Sequence, residues 1–224
     1  MTTPSSLLLL GAGGLGTAVA LALAAAAPGL CLIVADPDRV ALSNLHRQVA
    51  YRSEDVGRLK VEALAARLPQ LAIQCQAVRL DTTEAIVSAA SGCTLIVDGT
   101  DNFASRFAAN DAALQSGLPL VHGAVTGYFG QVMSIQPGQS ACLRCLFDAP
   151  PATEPGACQR EGVVGPLVGE VGWLMALEAI KWISRSGTPL LDRLLTIDLL
   201  HGVRRPILLR RQQQCKGCGS TSPT

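Results

Sequence analysis

The segment Gly11-Ala-Gly-Gly-Leu-Gly16 restricts what this chain can fold into more than any other feature. The strand-like run Ser6-Leu-Leu-Leu-Leu10 precedes it, and an apolar, alanine-rich stretch at 14–27 follows. That order predicts a buried strand, a tight glycine turn and a helix. Glycines at such a turn let backbone amides approach a phosphate, whose charge meets the positive end of the helix. Asp36 closes the next apolar run, 30–35, at about the twenty-residue distance where a carboxylate meets ribose hydroxyls. Gly11, Gly13, Gly14, Gly16 and Asp36 are therefore candidate nucleotide ligands. This fingerprint alone does not separate a dinucleotide from ATP.

The alternation continues downstream. Helical periodicity over 54–68, 82–90 and 103–116 alternates with strand-like runs at 71–78, 94–97 and 119–121. Strands regularly interleaved with helices predict a parallel sheet covered on both faces. The character changes after residue 125. Residues 127–136 read as a strand pair or hairpin, 139–145 as a turn, and 148–162, rich in Pro, Ala and Gly, as a loop. One long helix is expected over 164–184, then antiparallel strands at 190–200 and 203–210. The expected fold class is α/β, a doubly wound, mainly parallel Rossmann-like sheet with a C-terminal antiparallel extension. A chain of 224 residues fits this as a single domain.

Composition narrows the partners. A net charge of +1 supplies no general field for nucleic acid, and 4% aromatics leave few platforms for base stacking. Charged residues are 16%, below the roughly 25% of an average soluble domain, so part of the surface is expected to be covered by another subunit. Residues 7–27 carry no charge and are long enough to span a bilayer. However, no Lys or Arg precedes Arg39, and four glycines interrupt the run. A cytoplasmic protein without a membrane segment is expected.

Past Asp36 the sequence departs from a hydride-transfer site. Asp36-Pro-Asp-Arg-Val-Ala-Leu-Ser-Asn-Leu-His-Arg-Gln48 places Asn44, Arg47 and Gln48 in a polar loop, and Lys60 follows Val56-Gly57. Cations beside a glycine loop suit a polyphosphate better than a flat nicotinamide. Solvated helix flanks explain Arg47 and Lys60 equally well at this stage. Thr100-Asp101-Asn102 comes just after the strand at 94–97, where ligands bind in doubly wound sheets. Asp101 is placed to hold Mg2+ against phosphates, or else to cap the helix at 103–116, a duty that Asp98 and Asn102 could share.

Eight cysteines divide into two groups. Cys142/Cys145 and Cys215/Cys218 form two Cys-x-x-Cys pairs, the pattern of a closed tetrahedral Zn2+ site with a structural role. Cys31, Cys75 and Cys93 lie in apolar strand-like runs and read as small buried hydrophobes. Cys158 stands in the long loop beside Arg160. A neighbouring cation makes it a candidate nucleophile, and an exposed thiol without a role is the alternative.

Taken together, these segments resemble the ThiF/MoeB/HesA family of ubiquitin-activating-like adenylyltransferases. The resemblance rests on Gly11 to Gly16, the run from Asp36 to Gln48, Val56-Gly57-Arg-Leu-Lys60 and Thr100-Asp101-Asn102. Gly130-Gln131, both cysteine pairs, and Gly162-Val-Val-Gly-Pro166 leading to Leu177-Glu-Ala-Ile-Lys181 extend it over nearly the whole chain. It implies that ATP is used to adenylate the C-terminal glycine of a small ubiquitin-like sulfur-carrier protein ending in Gly-Gly. Carried over, it implies that Gly14, Asp36, Ser43, Asn44, Leu45, His46, Arg47, Gln48, Lys60, Asp101 and Asn102 bind ATP and Mg2+. It implies zinc on Cys142, Cys145, Cys215 and Cys218, a covalent role for Cys158, and a homodimer. Residues 1–125 would serve the nucleotide, and 126–219 the carrier and zinc.

His46 stands where glutamine is more often found. Family members usually begin with a segment bearing an Arg-Tyr-x-Arg-Gln motif that lends an arginine to the neighbouring subunit. Here the first strand starts almost at Met1, so that contribution to the phosphate clamp is expected to be missing. Two rival functions follow from parts of the pattern. The glycine fingerprint alone would suit an NAD(P)-dependent oxidoreductase, and a lost arginine segment would suit a non-catalytic, zinc-stabilised module that docks a carrier.

Overall fold

The computed structural model describes residues 6–149 and 162–219. One eight-stranded sheet runs through it in the order β3-β2-β1-β4-β5-β6-β7-β8. Strands β1 (Ser6–Leu10), β2 (Cys31–Ala35), β3 (Ala72–Gln76), β4 (Leu95–Asp98) and β5 (Leu120–Thr126) are parallel. Strands β6 (Phe129–Ile135), β7 (Arg193–Asp198) and β8 (Val203–Leu208) continue it antiparallel. The expected fold class is the one observed.

Strand β1 shows why. Leu7, Leu8, Leu9 and Leu10 are all buried, because side chains alternate across a sheet covered on both faces. Leu7 and Leu9 enter a core with α1 (Gly14–Ala26), α2 (Lys60–Arg67) and the long helix α6 (Gly165–Ser184). Leu8 and Leu10 enter the opposite core with α3 (Thr83–Ala89), α4 (Phe103–Ser116) and α5 (Leu143–Leu146). Each buried leucine contributes about 1.5–3 kcal/mol relative to exposure, so the uncharged run is core, split between strand and helix. No helix among the described residues is long and apolar enough to cross a membrane.

Small residues set how closely helices approach. A Cβ at Gly172 would sit 2.5 Å from Ala18 Cβ, so α6 crosses α1 only with glycine there. A Cβ at Gly130 would meet Val171 at 2.6 Å, which brings α6 equally close to β6.

Several expectations need correction. The helix read over 54–68 is broken: a 3-10 turn occupies Ser53–Asp55, and α2 starts only at Lys60. Gly57 takes φ +88°, and the backbone returns through Gly57 N–H to Val40 O and Lys60 N–H to Asp38 O. Helical periodicity missed this because Val56, spaced as a core-facing residue, is exposed. The hairpin read within 127–136 lies one strand earlier. Strand β5 extends to Thr126 and pairs with β6 across a turn at Gly127, whose φ is +53°. The turn read over 139–145 contains the start of α5. Cys75 is exposed and Cys31 half-buried, since β3 is an edge strand; Cys93 alone of the three is buried.

Candidate active site and metal centre

A cavity of about 520 Å³ opens at the carboxyl ends of β1, β2 and β4, where ligands bind in doubly wound sheets. The glycine turn forms its floor. Gly11 has φ +88°, a conformation other residues adopt at a cost. Gly16 does not line the cavity: a Cβ there would run into the Gly11 carbonyl oxygen, so this glycine lets α1 lie against the turn. Helix α1 has no side-chain cap and no acid in its first turn. Its free amides, with Gly13 and Gly14 on the wall, leave a ready site for an anion.

Asp36 is buried at the end of β2. Its carboxylate accepts the Ala12 N–H at 2.7 Å and the Asp38 N–H at 2.8 Å. Burial pushes the Asp36 carboxyl above its ordinary value, opposed chiefly by the nearby Lys60 ammonium. Lys60, only 5% exposed, places Nζ 2.7 Å from Asp38 and 3.7 Å from Asp36. The break at Gly57 makes this possible, because it puts Lys60 at the start of a helix rather than on its flank. Tyr51 ties the parts together, its hydroxyl 2.8 Å from Ala12 O and 3.1 Å from Lys60 O.

Asn44, His46, Arg47 and Gln48 line the second wall. Arg47 N–H and Gln48 N–H both donate to Asn44 O, forming a compact turn against the glycine loop. A Cβ on Gly165 would lie 2.6 Å from His46 O, so the start of α6 presses on the same turn. Ser43 and Leu45 do not line the cavity: the Ser43 carbonyl pairs with His46 Nδ1 at 3.0 Å, and Leu45 packs toward the core. On the third side, Asn102 caps α4 by accepting the Ser105 N–H at 2.8 Å. Asp101 is thereby released from capping. It is exposed at the cavity wall, and no hydrogen bond engages its carboxylate among the described residues.

Sequence reasoning missed Arg106 and Arg79, both on the wall. Arg106 donates from Nε to Thr100 O at 3.2 Å and stacks over Phe103 at 5.4 Å. Its position four residues after the Asn102 cap, hence on the same helix face, was the available signal. Arg79 follows β3 and approaches Asp38 at 3.9 Å, a contact no local pattern announces.

The four paired cysteines meet although 73 residues separate the nearest partners. Cys142 Sγ lies 3.6 Å from Cys215 Sγ, Cys145 Sγ lies 3.3 Å from Cys218 Sγ, and all four sulfurs fall within 4.8 Å of one another. Zinc–sulfur bonds of about 2.3 Å in a tetrahedron need sulfurs about 3.8 Å apart, so the cluster fits a metal ion. Burial opposes ionisation at Cys215, yet backbone N–H groups of Cys218 and Gly217 hold its thiol down to about 7. Burial pushes the Cys142 thiol up instead. The cluster sits on α5, which α4 fixes through Asn110 Oδ1 accepting Leu143 N–H and Asp111 binding Arg144 at 2.6–2.7 Å. Cys158 lies outside the described residues.

Residues 3–217 match the ThiF family. This chain belongs to the ThiF family. Within it, a sulfur carrier protein adenylyltransferase of Thermus thermophilus is 41% identical over 227 residues, covering 96% of this chain and 82% of that protein. The sulfur carrier protein ThiS adenylyltransferase of Escherichia coli is 40% identical over 223 residues, covering 97% and 87%. The adenylyltransferase and sulfurtransferase MOCS3 of Dictyostelium discoideum is 37% identical over 221 residues, covering 96% of this ThiF-family chain and 52% of its own length. Crystallised E. coli MccB superposes with a TM-score of 0.83 over 96% of this chain and 67% of MccB. At 21% identity, that likeness speaks for the fold.

Proposed function

We propose that this ThiF-family chain is an ATP-dependent adenylyltransferase. It activates the C-terminal glycine carboxylate of a small ubiquitin-like sulfur carrier ending in Gly-Gly, for sulfur transfer in thiamine or molybdenum-cofactor biosynthesis. The observation that carries this reading is the convergence of the glycine turn, Asp36, Arg47, Lys60 and Asp101 on one cavity. The names of relatives covering most of their own length point the same way.

A carboxylate at neutral pH is a poor electrophile, and joining it to AMP creates a leaving group. The carrier carboxylate attacks the α-phosphorus in line, and pyrophosphate departs. Asp36 holds the ribose, while Gly13 and Gly14 at the start of α1 hold phosphate oxygens. Arg47 and Lys60 offset the charge that develops on the phosphorus, so positioning and electrostatics supply the catalysis. Asp101 would hold Mg2+, which supplies further charge neutralisation on the phosphates. Cys158 then attacks the acyl-adenylate carbonyl and expels AMP, which leaves the carrier thioester-linked for sulfur delivery.

Zinc on Cys142, Cys145, Cys215 and Cys218 ties the C-terminal tail to α4 and α5. Residues 1–125 handle the nucleotide, and 126–219 carry the zinc and receive the carrier. The exposed Trp173 and Leu177 on α6, with Tyr128 and Phe129, support a homodimer, and the setting is cytoplasmic. ATP–pyrophosphate exchange that depends on a Gly-Gly carrier tests the activity. Its absence with every such carrier would leave a docking module. A 23 kDa species alone in sedimentation at micromolar concentration would overturn the dimer.

A further inference from the structure

Beneath the Thr100–Asn102 turn lies a buried acid–base pair that the reaction described above does not use. His122 on β5 is 1% exposed, and Asp98 at the end of β4 is fully buried. His122 Nδ1 donates to Asp98 Oδ2 at 2.7 Å. The other carboxylate oxygen, Oδ1, accepts both the Thr100 N–H at 3.0 Å and the Thr100 hydroxyl at 2.7 Å. Thr100 O in turn accepts from Arg106, and Thr100, Asp101 and Arg106 all face the cavity.

Two further facts give the pair a purpose. Among the described residues, His122 Nε2 is buried without a hydrogen-bond partner. A leucine would fill the space without that penalty, so this histidine costs the core something, and its compensation lies in what Nδ1 holds. The turn is also wedged from above. A Cβ on Gly11 would lie 3.1 Å from Gly99 O, and one on Gly99 would lie 3.2 Å from Gly16 N. The residues leading into Asp101 thus run in a slot between the glycine turn and the Asp98 carboxylate.

We infer that His122 is a positioning residue for the metal–nucleotide complex: through Asp98 and Thr100 it sets where the Asp101 carboxylate points. This rests on the adenylyltransferase reading, in which Asp101 holds the metal. Such outer partners of a ligating carboxylate typically govern about ten- to a hundredfold of metal affinity.

The test is calorimetric titration with α,β-methylene-ATP, once with Mg2+ and once with EDTA, so that no turnover is needed. Wild type should bind more tightly with Mg2+. His122→Ala should lose about ten- to a hundredfold in the Mg2+ arm and little in the EDTA arm. His122→Asn, whose amide can donate from the place of Nδ1, should restore most of the difference. Thr100→Val cuts the same chain at its exposed end and should reproduce the loss even if His122→Ala fails to fold. An unchanged Mg2+ advantage in Thr100→Val, or equal losses in both arms for His122→Ala, would overturn the assignment. Wild-type protein that binds in neither arm would instead overturn the proposed function, and this inference with it.

Discussion

Lys60 places its ammonium 3.7 Å from the Asp36 carboxylate, 24 positions earlier in the chain and on a different element. The ion pair is nearly sealed from water, with side chains 6% and 8% exposed. Lys60 is held there by Asp38 at 2.7 Å and by the backbone break at Gly57. A cation fixed in this way needs no reorganisation when phosphate charge arrives.

Lys60→Ala should therefore slow carrier-dependent ATP–pyrophosphate exchange by about a hundred- to a thousandfold, the usual cost of losing one transition-state stabiliser. Arg47→Ala and Asp101→Ala should do the same. Cys158→Ala should leave exchange near wild type and impair only later sulfur transfer, because adenylation precedes thiol chemistry. Exchange lost in Cys158→Ala but kept in Arg47→Ala would reverse these roles.

Gly16→Ala should damage the fold rather than the ligand contacts. The new Cβ would collide with Gly11 O, a backbone atom that cannot rotate away. Overpacking of this kind costs about 1–3 kcal/mol or more. Denaturant unfolding should show the loss without any nucleotide present. Equal stability of variant and wild type would contradict the close helix–turn packing.

One Zn2+ per chain is expected in carefully reduced protein, measured by metal analysis. Cys215→Ser should lower the metal content and the melting temperature, since structural zinc contributes on the order of 10 kcal/mol in small sites. Removing the ion with a chelator should make the tail after β8 accessible to protease while leaving the glycine turn protected. Less than half an equivalent of zinc would count against the site.

Acid should separate wild type from Asp98→Asn in a defined direction. Burial opposes the Asp98 charge, yet hydrogen bonds from His122 and Thr100 outweigh it and hold the carboxyl below its ordinary value. A group depressed on folding contributes stability above its unfolded pKa, about 3.9, and loses it as pH falls through the folded value. Asp98→Asn should cost about 2 kcal/mol near neutrality, and the gap should narrow below about pH 4. Chemical denaturation at pH 7 and pH 3.5 would show it. A gap that widens in acid would contradict the hydrogen bonds to the Asp98 carboxylate.

Some of this was settled by the order of residues alone. The run 6–10, the glycine turn and Asp36 announce a strand, a turn and a strand end, because local periodicity and glycine geometry act within a few residues. Gly117 similarly marks the end of α4, while the choice of Asn102 over Asp98 and Asp101 as its cap came only with the structure. The paired cysteine spacing named the four thiols that come together, since each pair needs only one tight turn. Only the tertiary structure decided which distant groups meet. The meeting of Cys142 with Cys215, and of Lys60 with Asp36, depends on chain crossings that no local pattern encodes. Gly57 turned a plausible helix flank into a buried cation, because hydrogen bonds to Val40 and Asp38 outweighed helical propensity there. His122 falls one residue past the strand read at 119–121, and nothing in the sequence singles it out. Its bond to Asp98 exists because β4 and β5 pair in register, a long-range fact set by the packing of both cores.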